Sequence, residues 1–401
     1  MPLQRCINPK GISGWKWGNA GTCYVGARAK QRAISQAIAI GEGQLLSDID
    51  IEHNDANENN IISFKEFLRQ EIIKKKGRKL RIKRPSPWLY PFVSEREYAK
   101  YIKSIMMQFA KITISEMKPL LRDWKNTTKQ LLEDKAHKDE DREDDAVDDL
   151  ESINEQYANK QKEIFVDDRI GLKTDLTLIA LGVGAFNQKQ FQKTMKQSIG
   201  ITFEAFETWE DPLVKRWVAE NVNLIKGLSD DYIKQINHAV TSGITEGQTA
   251  EALGKQLTKI NKEFITGRRE IIKNKAGEPI LRNGKPMFKR VQSRSDLIAR
   301  DQIGKLNGQY TRKRQEDVGI ETYFWRTAGD ERVRSRHRPL DGMLCRWDDV
   351  TVYSDDGGKT WKSRSSIGAI ELHPGQDVQC RCQGEANWET VVNEVEEEMA
   401  A

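Results

Sequence analysis

The sequence predicts an α+β protein that is mainly helical in its N-terminal and middle regions and ends in a small α+β domain. Apolar residues recur at helical spacing through the middle of the chain. Near residue 264 the pattern changes to short strand-like pieces separated by Ala-Gly and Asn-Gly turns. The chain has 401 residues, which is more than one compact core usually holds, so we expect several domains.

The composition describes a polar chain, with 31% charged residues and a mean hydropathy of -0.69. No apolar run approaches the roughly 18–20 residues that a transmembrane helix needs, so we expect no stable membrane insertion. The first residues have no continuous apolar stretch of the kind found in secretory signals, which predicts a cytoplasmic location after synthesis. The chain also lacks the GxxxxGK[ST] phosphate loop, which argues against an ATP-driven motor.

The first two predicted segments are a small module over residues 1–42 and a charged linker over residues 43–93. In the module, glycines punctuate the aromatic residues of GWKWGNAGTCYVG, a pattern typical of a hairpin, and a helix-like stretch follows. The linker holds a short helical piece and a basic run. It ends in RPSPWLYPFV, whose prolines disfavour a helix.

Residues 94–263 are predicted to be helical. Ser94 and Glu97 form a capping-box pattern at the start. Five apolar residues then share one helical face: Tyr98, Ile102, Ile105, Phe109 and Ile112. Further helices are predicted over 154–165, over 187–199, over 213–225, from a cap at Ser229 to Gly243, and through TAEALGKQLTKI.

The C-terminal domain is predicted over residues 264–388, with an acidic tail over 389–401. Asn283-Gly284 between two strand-like pieces is a strong hairpin signal. A helix with an apolar stripe follows, and the aromatic and branched residues of ETYFWRTA then favour a strand.

Charge is unevenly distributed although the net charge is only +5. Residues 139–151 carry nine acids against one arginine, and residues 74–84 carry eight cationic residues and no acid. The basic run is either a solvated linker or a nucleic-acid contact that binds phosphates. Its candidate contact residues are Lys74, Lys75, Lys76, Arg78, Lys79, Arg81, Lys83 and Arg84.

Histidine and cysteine side chains cluster near the C-terminus. His337, His373, Cys380 and Cys382 are the types of residue that close a tetrahedral structural zinc site, with Cys345 as an alternative ligand. A second interpretation is packed thiols, with His337 hydrogen-bonded to Asp330 or Asp341. A third is a disulfide from Cys345 to Cys380 or Cys382. A fourth is a hydrolytic metal centre formed by His337, Asp341 and His373.

Charged residues also alternate along the segment on either side of His337. The candidate residues of this segment are Arg326, Asp330, Arg332, Asp341 and Gly342. Asp330 has the geometry to bind arginine guanidinium groups, and Gly342 supplies conformational freedom. The pattern favours a structural interpretation, in which a salt-bridged loop closes a small β-domain. It is less typical of a catalytic loop.

The segment from Asp296 to Cys382 resembles the phage Mu F-like minor head protein family. The matching pieces, in order, are IARD in a helix, a Gly-Ile step into a strand that ends in Trp-Arg-Thr, DERVR, His with LDG, and finally HPGQDVQCRC. The resemblance extends weakly back to about residue 205. Residues before 200 carry no motif of this family.

This resemblance implies a minor capsid protein in head morphogenesis, not an enzyme. Such proteins enter the procapsid in few copies, associate with the portal and contribute to genome packaging or ejection. The implied partners are the portal, scaffold or major capsid protein, and phage DNA. The implied location is the head interior of the virion, with the host cytoplasm during assembly.

Two other functions remain open from the sequence. One is a metal-dependent phage nuclease or toxin-like enzyme built on the same C-terminal domain. The other is a DNA-binding virion protein that uses residues 74–84 and the hairpin within residues 268–294.

Overall fold

A computed structural model of the chain describes most of the predicted C-terminal domain and parts of the rest. The described residues are 3–7, 13–17, 22–25, 33, 62–75, 80–111, 115, 171–203, 207–245, 248–274 and 276–400. The linker at 43–60, the acidic block at 139–151, the predicted helix at 154–165 and Ile112 lie outside them. Within the described residues the fold is α+β, as predicted, with seven helices and a five-stranded antiparallel sheet near the C-terminus.

The N-terminal module contains a three-stranded antiparallel sheet. Its strands are β1 (Leu3–Ile7), β2 (Ser13–Trp17) and β3 (Tyr24–Val25). The predicted hairpin is therefore present, with Trp15 opposite Tyr24. A disulfide joins Cys6 to Cys23. The predicted helix that follows lies outside the described residues, apart from position 33.

Among the described residues, five longer helices lie in the N-terminal and middle regions. They are α1 (Phe64–Lys74), α2 (92–111), α3 (Leu172–Ile199), α4 (Glu210–Thr245) and α5 (Ala250–Thr266). The predicted start at Ser94 was wrong by about one half-turn, because the carbonyl of Pro91 already accepts a hydrogen bond from the backbone N–H of Glu95 at 3.1 Å. Tyr98, Ile102, Ile105 and Phe109 are buried as predicted.

The predicted cap at Ser229 was also wrong, because α4 continues through this residue. The Ser229 side chain is buried and its hydroxyl donates to the carbonyl of Ile225 at 3.0 Å, one turn earlier in the same helix. A buried serine can satisfy its hydroxyl in this way without ending a helix. The helix therefore runs past Gly243 to Thr245.

The predicted hairpin is present as a two-stranded arm, which we call the hairpin arm (residues 269–290). Four short strands build it in two antiparallel pairs: β4 (Arg269–Ile271) with β7 (Phe288–Arg290), and β5 (Leu281–Arg282) with β6 (Lys285–Pro286). Asn283 and Gly284 form its tip with φ of 52° and 72°, as this turn requires. Most described side chains of the arm are exposed.

The helix α6 (Arg294–Asp317) precedes the C-terminal sheet, and α7 (Trp388–Ala400) follows it. Between them lie β8 (Thr322–Arg326), β9 (Leu344–Arg346), β10 (Val352–Ser354), β11 (Lys362–Ser363) and β12 (Gln383–Ala386). The sheet order is β11-β10-β9-β8-β12, and every neighbouring pair is antiparallel. The predicted strand at ETYFWRTA is thus the second strand from one edge.

The chain divides into two compact units, each built from separated stretches. The first combines residues within 1–95, 173–219 and 300–401, and the second combines residues within 96–172 and 220–299. The domain boundaries drawn from the sequence stay predictions. Among the described helices, none has the length and hydropathy needed to cross a membrane.

The first unit has an apolar core between α1, α3 and α7. Phe64 and Phe191 each pack near the ring of Trp388, with centroid distances of 6.2 and 5.5 Å. Other buried members are Leu68, Ile72, Met195, Ile199, Val318, Ile320, Val391, Val392 and Val395. In the second unit, the Tyr98 hydroxyl donates to Asn221 at 2.6 Å, and the rings of Tyr232 and Phe264 lie 5.2 Å apart.

A buried ion pair ties α6 to the segment before α4. Arg314 is 2% exposed, and its guanidinium donates to both carboxylate oxygens of Glu207 at 2.6 and 2.7 Å. The same group donates to the Gly184 carbonyl at 2.9 Å and to Asn187 at 2.8 Å. All of these bonds involve a charged donor in a dry environment, where the loss of one partner leaves the other charge unpaired.

The small sheet encloses a second cluster around Tyr323, Trp325 and Trp347. Arg364 is fully buried in this region, and it donates to the carbonyls of Val352 at 3.0 Å and Leu372 at 2.9 Å. His373 is also buried. Its Nδ1 lies 3.2 Å from the Tyr323 hydroxyl, and its ring lies 5.1 Å from that of Trp347.

We expect Arg314→Met to lower the free energy of unfolding by about 3 to 5 kcal/mol, because Glu207 would stay buried without its partner. Arg312→Met is the matched control, since Arg312 pairs with Glu316 on the half-exposed side of the same helix. Exposed pairs contribute less than about 1 kcal/mol. Urea unfolding of both variants measures the difference, and equal losses would contradict the assigned role of Arg314.

Burial, together with the charges of Arg312 and Arg364, lowers the pKa of His373 to about 4. The neutral imidazole is therefore favoured in the folded state, while the unfolded chain takes up a proton near pH 6.5. The contribution of His373 to the free energy of unfolding should be fully present above that pH and should fall as the pH drops from about 6.5 towards 4. The expected loss is about 1 to 2 kcal/mol between pH 7 and pH 5. Urea unfolding at both pH values should show a smaller pH effect in His373→Gln. The exposed-site control His238→Gln should behave like the wild type.

Candidate metal centre

His337 lies on the long connection between β8 and β9. It stands directly before a short 3-10 helix (Arg338–Leu340), and its backbone carbonyl accepts from Leu340 at 3.2 Å. The ring of Trp325 packs edge-on against the imidazole with centroids 5.8 Å apart. These contacts leave His337 3% exposed and fix the direction of its ring.

Cys380 and Cys382 lie at the entry to β12. Residues two apart in extended chain point to the same side, so the Cys-x-Cys spacing presents both sulfurs together. Arg381 between them points elsewhere and pairs with Asp330 at 2.7 Å. The backbone N–H of Cys382 donates to the Cys380 sulfur at 3.4 Å. Both thiols are 5% exposed.

Two loops bring these three side chains together. His337 Nδ1 lies 3.4 Å from Cys382 Sγ and 3.7 Å from Cys380 Sγ. All three candidate ligand atoms lie within 4.8 Å of one another. Among the described residues, this trio is the group of histidine, cysteine and acidic side chains that has the spacing to hold a metal ion.

Asp377 completes the arrangement on the far side of the imidazole. Its Oδ2 lies 2.9 Å from His337 Nε2, and it also pairs with Arg334. When the imidazole is neutral, a carboxylate at Nε2 favours the tautomer that carries its proton there, so the lone pair of Nδ1 then faces the two sulfurs. The sequence analysis missed Asp377, although an acid three residues before Cys380 was a usable signal.

Electrostatics separates the two thiols. The hydrogen bond from Cys382 is the main cause that lowers the pKa of Cys380, with His337 acting in the same direction against burial. The same hydrogen bond, together with burial, raises the pKa of Cys382. Burial lowers the pKa of His337, but its contacts with Cys380 and Asp377 outweigh that effect and raise the pKa. The arrangement therefore favours a thiolate at Cys380 and a protonated thiol at Cys382.

The structure does not bring His373 or Cys345 into this cluster. His373 is held by Tyr323 and Trp347, as described above. Cys345 lies on β9, where burial raises the pKa of its thiol to about 11. Cys345, Cys380 and Cys382 are all free thiols, so the disulfide interpretation is not realised. The predicted four-ligand set thus reduces to His337, Cys380 and Cys382.

The alternative partners predicted for His337 are engaged elsewhere. Asp330 binds Arg381, and Asp341 accepts from the backbone N–H and the hydroxyl of Thr327 at 2.8 and 3.0 Å. Asp341 and His373 therefore do not join His337 in a hydrolytic centre among the described residues.

The other predicted loop residues hold the same connection. Arg326 pairs with Glu385 on the neighbouring strand β12. The backbone N–H of Arg332 donates to Asp330 at 3.2 Å. Gly342 has a φ of 80°, and its backbone N–H donates to the Trp325 carbonyl at 2.8 Å. A side chain at this φ would be strained, so glycine suits the return of the loop into β9.

The structure describes five of the eight residues that were predicted to contact nucleic acid. Lys76, Arg78 and Lys79 lie outside the described residues. Lys74 pairs with Glu71 at 2.8 Å, while Arg81, Lys83 and Arg84 are exposed. Lys75, Arg81 and Lys83 line a surface depression beside Lys196 at the end of α3. This concentration of positive charge is compatible with an anionic partner.

The turn after β10 is a further feature that the sequence analysis missed. Asp356 accepts from the hydroxyls of Thr360 and Ser354 at 2.6 and 2.7 Å and from the Thr360 backbone N–H at 3.0 Å. The Thr360 hydroxyl bond is the main cause that lowers the pKa of Asp356 far below its usual range. The spacing of Ser354, Asp356 and Thr360 was the available signal, and the role of this group is to shape the turn.

Comparisons with known proteins agree with the motif-based resemblance. The sequence model of the family described as "Phage Mu protein F like protein" matches residues 234–384. A protein of Haemophilus influenzae, described as "Uncharacterized protein", is 26% identical over 201 residues, which cover 49% of this chain and 35% of that protein. The chain thus spans about a third of this relative's length. No solved structure matches the chain. Residues 234–384, which hold the hairpin arm and the trio of His337, Cys380 and Cys382, are therefore a phage Mu F-like region.

Proposed function

We propose that this chain is a minor head protein of a tailed phage that acts in head morphogenesis through association with the portal. The observation that carries the proposal is the Mu F-like match over residues 234–384. The proposed setting is the procapsid during assembly in the host cytoplasm and the head interior of the finished virion. The role is architectural, and we assign no catalytic residue.

The hairpin arm is the part of the matched region that we assign to protein docking. Ile271, Ile280, Leu281 and Phe288 are 39, 39, 58 and 54% exposed on it. A two-stranded hairpin is marginally stable alone, and clustered exposed apolar side chains are typical of interaction sites. An arm of this kind supports docking on a larger assembly such as the portal.

The docking proposal is tested by producing the chain together with the portal, scaffold and major capsid proteins of the same phage. We expect the wild type to sediment with procapsids. The double variant Leu281→Ser/Phe288→Ser should be at least about tenfold less abundant in the procapsid fraction. Ile73→Ser is the matched control, because Ile73 is 64% exposed on α1, outside the matched region. Quantitative mass spectrometry of the procapsid fraction measures the association.

Unchanged incorporation of the arm variant would contradict the docking role of the arm. Absence of the wild-type chain from procapsids would contradict the assembly function as a whole. The melting temperature of each variant checks that the rest of the chain stays folded.

A second candidate function is contact with DNA, which the charge of the same arm favours. Six described cationic side chains lie at or beside it against two acids: Arg268, Arg269, Lys273, Arg282, Lys285 and Lys289 against Glu270 and Glu278. Exposed Arg81, Lys83 and Arg84 add charge of the same sign elsewhere in the chain. Phosphate contacts by such groups make binding weaken steeply with salt.

If the arm contacts duplex DNA, Arg282→Gln with Lys285→Gln should reduce the slope of log affinity against log salt by about 0.9 for each lost phosphate contact. Lys255→Gln is the control, since Lys255 is exposed on α5 and pairs with Glu251. Fluorescence anisotropy with duplex DNA over a salt series measures the slope. An unchanged slope in the double variant would exclude the arm as the contact.

A further inference from the structure

We propose that His337, Cys380 and Cys382 bind one zinc ion through Nδ1 and the two sulfur atoms, with Asp377 as the positioning residue behind the imidazole. This ligand set differs from the one predicted from the sequence, because His373 lies outside the cluster. The proposal does not rest on the assembly function, because it concerns the isolated chain in solution.

The two nitrogen–sulfur distances match those of a zinc coordination shell. In a tetrahedral site with Zn–S of about 2.3 Å and Zn–N of about 2.0–2.1 Å, a nitrogen and a sulfur ligand lie about 3.6 Å apart. The observed separations of His337 Nδ1 from the two sulfurs are 3.4 and 3.7 Å. The nitrogen and sulfur atoms therefore need little rearrangement to hold an ion.

The donor set also suits the charge of the ion in a buried place. Two thiolates and one neutral imidazole cancel the charge of Zn²⁺, which avoids leaving a net charge away from water. Zinc binding displaces the thiol protons of both cysteines to solvent, so affinity falls at acidic pH.

Asp377 gives the site the outer support that zinc-bound histidines usually have. A histidine that binds zinc through one ring nitrogen normally donates the other N–H to a carboxylate or carbonyl, which fixes its tautomer and orientation. The 2.9 Å contact between Asp377 Oδ2 and His337 Nε2 provides this support. The salt bridge from Arg334 in turn holds the carboxylate.

An ion at this position would join two distant parts of the small domain. His337 is 43 residues from Cys380 and 45 from Cys382 along the chain. The ion would tie the β8–β9 connection to the chain that enters β12. Because an unfolded chain has no preformed site, the binding free energy would add to folding stability.

The test uses the full chain, purified under reducing conditions, loaded with zinc and desalted. We expect about one zinc per chain in the wild type and in the controls Cys345→Ser and His373→Gln. The double variant C380S/C382S should retain none. Loading with Co²⁺ should give thiolate-to-metal absorption in the wild type and both controls but not in the double variant.

Three results would overturn the proposal: no metal in the loaded wild type, equal metal in the double variant, or a disulfide between Cys380 and Cys382 in the reduced preparation. The cobalt spectrum of the wild type keeps the test decisive if the double variant does not fold.

The positioning role of Asp377 is tested separately by zinc affinity. Asp377→Asn should weaken binding about 10- to 100-fold, as is usual for loss of a carboxylate behind a zinc-bound histidine. Asp341→Asn is the control, since Asp341 holds Thr327 on the same connection. Competition with a chelating dye measures both affinities. Equal zinc affinity in Asp377→Asn and the wild type would contradict the positioning role of Asp377.

Discussion

The C-terminal domain depends on a direct backbone contact between α6 and the loop that carries Cys380. Gly304 and Gly308 lie one turn apart on the same face of this helix. A Cβ added at Gly304 would sit 2.7 Å from the Cys380 carbonyl oxygen, and one at Gly308 would sit 2.6 Å from that of Pro374. Neither distance tolerates a side chain, because the neighbouring atoms are backbone. The two glycines therefore set how closely the cysteine loop approaches the helix.

The same helix also holds the sheet through buried polar groups. Asn307 donates to the side chain of Gln383 at 2.8 Å, and Gln315 donates to the Gly384 carbonyl at 2.8 Å. Both side chains of the helix are thus hydrogen-bonded to strand β12. The indole of Trp347 donates to Gln315 at 2.9 Å. Buried hydrogen bonds of this kind are directional, and a fully satisfied network favours one arrangement of helix and sheet over others. A chain of low hydropathy can specify its fold in this way.

Local sequence signals predicted the parts of the fold that are governed by short-range chemistry. The tip at Asn283-Gly284 follows from the turn preference of that pair, and strand β8 follows from its aromatic and branched residues. The pairing of His337 with the Cys-x-Cys motif was also within reach of the sequence. The placement of His373 was not, because Tyr323 and Trp347 hold it through tertiary contacts that spacing does not encode. The continuation of α4 through Ser229 was missed because a serine hydroxyl can bond to its own helix as readily as it can cap one.

The tip of the hairpin arm offers a practical opportunity. Asn283 and Gly284 are exposed and lie at the end of a two-stranded extension. Exposed loop tips of this kind accept inserted sequence more readily than packed segments do. A short peptide epitope inserted between these two residues would therefore label the hairpin arm with little effect on the packed parts of the chain.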